Sequence, residues 1–194
     1  MYYVRVAIGV LFGIFAFALL DYTLPSKNTV RISNTYNRLS SISPATSIFW
    51  ASDSTGTVEN SSGQRDVRFI DTVRPGGKVF VYRNEDTGWV WPPYFKYDSS
   101  NLHAEATNLK SPTADPIWVS ITAYGWRMPW LSTYPNAISI NTVAGPDERP
   151  LNWPALVICT VLLVLLALFW RMWAQFQQRG LAPLRGWLTR KGKS

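Results

Sequence analysis

At 194 residues the chain has room for one modest domain, and its single cysteine excludes a disulfide-stapled one. With one cysteine and one histidine it has no kit for the usual transition-metal sites, and no metal or other cofactor is expected. The formal charge of +7 argues for topology and against a nucleic-acid partner: residues 21–149 hold all 12 acidic side chains and 12 of the 19 Lys and Arg. The excess comes from Arg5 and from Arg171, Arg179, Arg185, Arg190, Lys191 and Lys193 near the C-terminus.

In chain order, the first element is an apolar run from Val6 to Leu20, bounded by Arg5 and Asp21. With Arg5 snorkelling to an interface, residues 1–21 approach the ~20 residues that cross a bilayer. A signal peptide is the rival reading, since Ala16-Phe17-Ala18 has the small-x-small form of a cleavage site. The bulk of Phe12, Phe15 and Phe17 and the thin charged flank favour an uncleaved anchor. Gly9, Gly13 and Ala16 fall on one helix face at i, i+4, i+7, where small residues let another helix approach. Chance, packing on the chain's own second span and a foreign partner all fit that pattern.

Residues 22–150 follow as a mostly antiparallel, β-rich (α+β) domain. Val30 and Ile32 alternate with Arg31 and Ser33. Val67, Phe69 and Val73 share one face, as do Val79 and Val81, and Pro75-Gly76-Gly77 between them predicts a hairpin. Ile117, Val119, Ile121 and Ala123 form the cleanest strand face, and Ile138 and Ile140 repeat the alternation. Residues 52–63 read as a polar loop whose Asn60 sequon is taken as chance. Near 99–110, Asp98, Ser99 and Ser100 precede Leu102, Ala106 and Leu109, the capping and spacing of a short helix. Strand order is not readable.

The second span, residues 151–173, is centred on the uncharged run Ala155–Trp170, with Trp153, Trp170 and Trp173 at its ends. Positive flanks mark the cytoplasmic side, so both termini are expected there and residues 22–150 across the membrane. In the basic tail, 174–194, Trp187, Arg185 and Arg190 suit an anionic lipid surface, although a solvated tail fits nearly as well.

Asp86-Thr87-Gly88 is the tripeptide of aspartic proteases, which need two carboxylates sharing a proton. Here the polar Arg83, Asn84 and Glu85 precede it and the bulky Trp89 follows it. A solvent-exposed turn from Asn84 to Gly88, with Arg83, Glu85 and Asp86 in water, is the better reading. His103 on the short helix has no local catalytic signature around it. No catalytic residue is assigned. The aromatic clusters stand out instead: Trp89, Trp91 and Tyr94 with Pro92 and Pro93, then Trp126, Arg127 and Trp130. Core or membrane-interface packing, partner contact and ligand contact all suit such residues.

The segments RISNTYNR (31–38), RDVRFIDTV (65–73), YRNEDTGWVWPPYFK (82–96), YGWRMPWLSTYPN (124–136) and FWRMWAQF (169–176) together resemble a proteobacterial family of small two-span membrane proteins catalogued as a domain of unknown function. The resemblance spans nearly the whole chain. It implies a bacterial inner-membrane protein and carries no activity, ligand or catalytic residue with it. The expectation is a non-enzymatic accessory or structural subunit that contacts a lipid bilayer and a larger membrane complex; a homo-oligomer is compatible with it. The alternative is an anchored periplasmic ligand-binding domain or enzyme.

Overall fold

The computed structural model describes residues 2–41, 49–50, 64–88 and 92–178. They form α1 (Tyr2–Thr23), β1 (Ser26–Ser41), β2 (Gln64–Val73), β3 (Val79–Asn84), α2 (Ser99–Asn108), β4 (Trp118–Tyr124), β5 (Asn136–Thr142) and α3 (Trp153–Phe176). α3 begins a compact unit of its own, and everything up to Asn152 forms the other.

The five strands close into a barrel in the order β1-β2-β3-β5-β4. β1 supplies the closure, because its first half pairs with β4 and its second half with β2. A bulge between Ile32 and Asn34 lets the strand bend from one partner to the other. Four of the ladders are antiparallel. The fifth is parallel and joins β3 to β5 through the single pair Arg83↔Asn136, so the sheet is mixed. This order, with a helix inserted after β3, is that of an OB-type Greek-key barrel.

α2 closes one end of the barrel interior. Asp98 caps it as its sequence predicts, its carboxylate accepting from the Asn101 backbone N–H at 3.1 Å. Leu102 and Ala106 drop into a core with Val30, Ile32, Ile70, Tyr82, Val119, Ile121, Ala123, Ala137 and Ile140. The faces expected for β1 and β4 are therefore the buried ones, except for Ile117, which lies just before β4 and is 41% exposed. Those expected for β2 and β3 are not. Ile70 and Tyr82 line the interior, whereas Val79 is 65% exposed. Val67 and Phe69 are buried on the opposite side of β2, under the rings of Tyr36 and Tyr134 in the case of Phe69. With a side-chain period of two, one face is core and the other is outside, and both faces of β2 are apolar enough to be mistaken for it. The expected turn is present: Gly77 adopts φ +78° and donates to Arg74 O at 2.8 Å.

α1 and α3 are long and apolar enough to cross a membrane. Neither buries a residue, and exposed Phe12, Phe15, Phe17, Leu163, Leu166 and Phe169 leave each apolar all round. α1 ends where Pro25 forbids continuation, two residues beyond the expected boundary. Gly9, Gly13 and Ala16 share a face of α1 by their spacing.

The chain leaves the barrel where it entered. Lys27 Nζ donates to Leu151 O at 3.0 Å, and Asn152 Nδ2 donates to Pro25 O at 2.5 Å.

Candidate functional site

The last turn of α1 is bound to the barrel by a seam of aromatic and ionic groups. Tyr22 stands edge-on to Tyr124 and Trp126, with ring centroids 6.2 and 5.3 Å apart, and tilts against Phe49 at 5.6 Å. Tyr94 stacks on Tyr124 at 4.8 Å, and its hydroxyl donates to Thr23 O. Trp126 Nε1 donates to Asp21 Oδ2 at 2.8 Å, and Gly125 N to Tyr22 O at 3.0 Å. Gly125 is at φ +93°, a conformation that favours glycine, and it lies against the Tyr22 ring.

Beneath these rings lies a buried ion pair. Arg83 and Glu85 approach to 3.2 Å, with Arg65 3.9 Å from the same carboxylate. All three side chains are buried, which corrects the expectation of a solvated turn. Burial works against the Arg83 charge, but Glu85 together with Tyr124 and Tyr22 more than offsets it, and the guanidinium pKa is held above its usual value. Trp50 lies 5.2 Å from the guanidinium carbon and covers it. Burial pushes the Tyr94 and Tyr124 hydroxyls up as well, so both stay neutral, Tyr94 donating to Thr23 O and Tyr124 accepting from Asn136 Nδ2 at 3.2 Å. In OB-type barrels the face over β2 and β3, between the β1–β2 and β4–β5 loops, is the one that takes ligands. On that side of the barrel, among the described residues, Phe69 of β2 lies under the Tyr36 and Tyr134 rings and Arg83 of β3 under Trp50.

Asn136 joins the seam to the barrel. It is fully buried, its Oδ1 accepts from Glu85 N at 2.9 Å, and its Nδ2 donates to Glu85 O at 3.0 Å. One side-chain amide thus imitates the next strand residue and extends the single parallel pair.

Asp86-Thr87-Gly88 is structural. Asp86 Oδ1 accepts from the Ser99 N–H at 2.8 Å, satisfying a free donor of the first turn of α2. Thr87 N and Gly88 N both donate to Lys96 O, at 3.0 and 3.3 Å. The Lys96 amine is buried too, donating to Asn84 Oδ1 and, at 2.7 Å, to Ala137 O. Burial lowers its pKa to about 7, despite the nearby Asp86 and Glu85 carboxylates. His103 is pushed down by partial burial and by Arg68 and Lys110, so its neighbours are cations and not a base-orienting carboxylate. Among the described residues, no three His, Cys, Asp or Glu side chains are placed to hold a metal ion.

Of the residues singled out by sequence, Tyr94, Trp126 and Arg127 come together around the end of α1 and the β4–β5 loop. Arg127 lies over the Tyr134 ring at 4.2 Å and donates to Thr133 O at 3.1 Å. Trp130 is on the same loop but 79% exposed. Trp89, Trp91, Arg185, Trp187 and Arg190 lie outside the described residues, as does the Asn60 sequon. Sequence reasoning missed Tyr22, Arg83, Glu85, Lys96 and Asn136. Only the density of charged residues inside the aromatic block 82–96 hinted at the ionic part.

A separate open groove of about 370 Å³ runs between α2, β5 and the segment before α2, lined by Phe95, Lys96, Tyr97, Asp98 and Glu105 among others. Phe95 is half-exposed and held at φ +52°, a conformation that costs a non-glycine residue energy.

No solved structure matches the chain. An uncharacterized protein of Haemophilus influenzae is similar to it, 36% identical over 168 residues that cover 84% of this chain and 89% of the relative. The family model described as "Protein of unknown function (DUF1523)" matches residues 1–177, and the chain, with its two flanking apolar helices and closed barrel, belongs to that family.

Proposed function

We propose that the protein is a non-enzymatic component of a bacterial inner membrane, anchored by α1 and α3, with its barrel on the periplasmic side and both termini in the cytoplasm. In this reading it serves a larger membrane assembly as an accessory or structural subunit. The observation that carries the proposal is the seam. Tyr22 in the last turn of α1 packs on Tyr124 and Trp126, and Tyr94 stacks on Tyr124 and bonds to Thr23 O, so the seam fastens the barrel to α1. The apolar surfaces of α1 and α3 and the neutral charge of residues 21–149 agree with an anchored, exported domain.

Extraction in mild detergent followed by native sizing tests the reading. A particle larger than one chain, holding the same partners in repeat preparations, is expected; a monomer with nothing attached overturns the subunit role.

The groove beside α2 favours a second reading, a small-ligand site. Its aromatic rim and its carboxylates suit a polar ligand with an apolar face. A Glu105→Gln, Tyr97→Ala double variant that fully complements a deletion strain would count against it.

A further inference from the structure

We infer that the β4–β5 loop is a lipid-contacting foot that sets the barrel on the bilayer, with Trp130 in the headgroup region beside the exit of α1. The inference rests on the proposal that α1 crosses the membrane.

The loop is fastened at the level where α1 stops being apolar. Asp21 is the first acidic residue of the chain and the natural limit of the hydrocarbon zone. The loop binds at that point twice, through Trp126 Nε1 to Asp21 Oδ2 and through Gly125 N to Tyr22 O. Whatever depth α1 takes, the loop root must share it.

Beyond that root the chain displays a large apolar ring. Pro129–Leu131 form a 3₁₀ turn, preceded by extended Met128 and followed by Ser132 in the left-handed region at φ +51°. A Met128–Thr133 bridge and the Arg127 Nη1 to Thr133 O bond close the base of the turn. Strained backbone, bridge and cation-π contact thus hold in place a turn whose central Trp130 buries almost nothing. The indole combines an apolar body with one N–H donor, the combination that partitions to membrane interfaces.

Charge on the loop agrees with a lipid partner. Residues 125–135 contain one Arg and no Asp or Glu. Arg127 is engaged at the base of the turn, on Thr133 O and over the Tyr134 ring, so the tip, residues 128–133, carries no charge. With the seam already fastening the barrel to α1, a foot of this kind would set the tilt of the two together against the bilayer.

Site-directed spin labelling on the full chain in nanodiscs of phosphatidylethanolamine and phosphatidylglycerol tests the inference. In a Cys159→Ser background, single labels go at W130C, at F12C in the middle of α1 and at G76C on the β2–β3 turn. Oxygen, which concentrates in lipid, is expected to relax the Phe12 label most. A water-soluble nickel chelate is expected to relax the Gly76 label most. The Trp130 label should favour oxygen over nickel, at a shallower depth than the Phe12 label. A Trp130 label as nickel-accessible as Gly76, with Phe12 deep, overturns the foot and leaves the span standing, as a loop meeting a protein would. A nickel-accessible Phe12 label overturns the spanning reading, and the foot with it. All three sites are highly exposed, so unchanged circular dichroism is expected of each variant.

Discussion

Lys96 holds a primary amine where water does not reach, tied to Asn84 and Ala137. Its amine has a pKa of about 7 when folded, against 10.5 in an ordinary setting. Across the interval between those values the unfolded chain keeps a proton that the folded chain gives up. Stability is therefore expected to rise with pH through that window, and the cost of burying the charge is full below it. Denaturant midpoints taken from pH 6.5 to 9.5 in detergent check this, and Lys96→Met should flatten the slope (the window is set by the pKa values above). A slope unchanged by that substitution would sink the assignment.

At the same scale, Glu85→Ala would leave the buried Arg83 without its counter-ion, at an expected cost of about 3–5 kcal/mol. The double variant Arg83→Met, Glu85→Leu should recover part of it, since a buried pair is often replaceable by apolar groups of similar volume but Arg65 still loses Glu85. Unfolding curves for the single and double variants decide this. Little of this chemistry is legible in the sequence. Arg83, Glu85 and Asp86 look like any polar turn, and only the folding of Tyr22, 61 residues before Arg83, onto Tyr124 shows that Arg83 and Glu85 are covered.

Among the elements, legibility follows how one-sided each segment is. α2 can be read because Asp98 caps it and Leu102 and Ala106 form its one apolar stripe. β4 can be read because Val119, Ile121 and Ala123 alternate without interruption. β2 misleads because Val67 and Phe69 on one side compete with Ile70 on the other, and an outer aromatic layer buries both. The parallel β3–β5 closure cannot be read at all, resting on one residue pair and one amide. Asn136→Ala leaves both backbone groups of Glu85 without that partner, and each buried group left unpaired costs about 1–3 kcal/mol. Faster hydrogen exchange at Glu85 and Arg83, ahead of any change in β1, is the expected sign. Uniform loosening of all strands would argue against a local role.

The attachment of α1 is an element-scale property too. Tyr22→Ala removes the ring from contact with Tyr124 and Trp126, each pair worth roughly 0.5–1.5 kcal/mol beyond buried area. Exchange of the Gly125 N–H, which donates to Tyr22 O, is expected to rise while β2 and β3 keep their protection.

For the whole molecule, the sequence's plainest feature, two apolar runs with basic flanks, accounts for the proposed layout, and the barrel's adjoining entry and exit suit it. Both ends of the barrel can then be held at a single membrane surface. The proposed topology makes Gly76→Cys, in the Cys159→Ser background, reactive toward an impermeant maleimide added outside spheroplasts. Labelling only after lysis would reverse the orientation.

The meeting of Pro25 with Asn152 also bears on how the protein is made. β1 is the first strand to emerge, yet Thr29 bonds to Glu148 and Lys27 to Leu151, 119 and 124 residues later. Its ladder to β4 likewise waits for Ala123. A newly made chain must therefore carry the first half of β1 without its strand partner until β4, Trp118–Tyr124, has appeared. Folding then depends on late, long-range pairing, which is slow and leaves strand edges exposed in the interval.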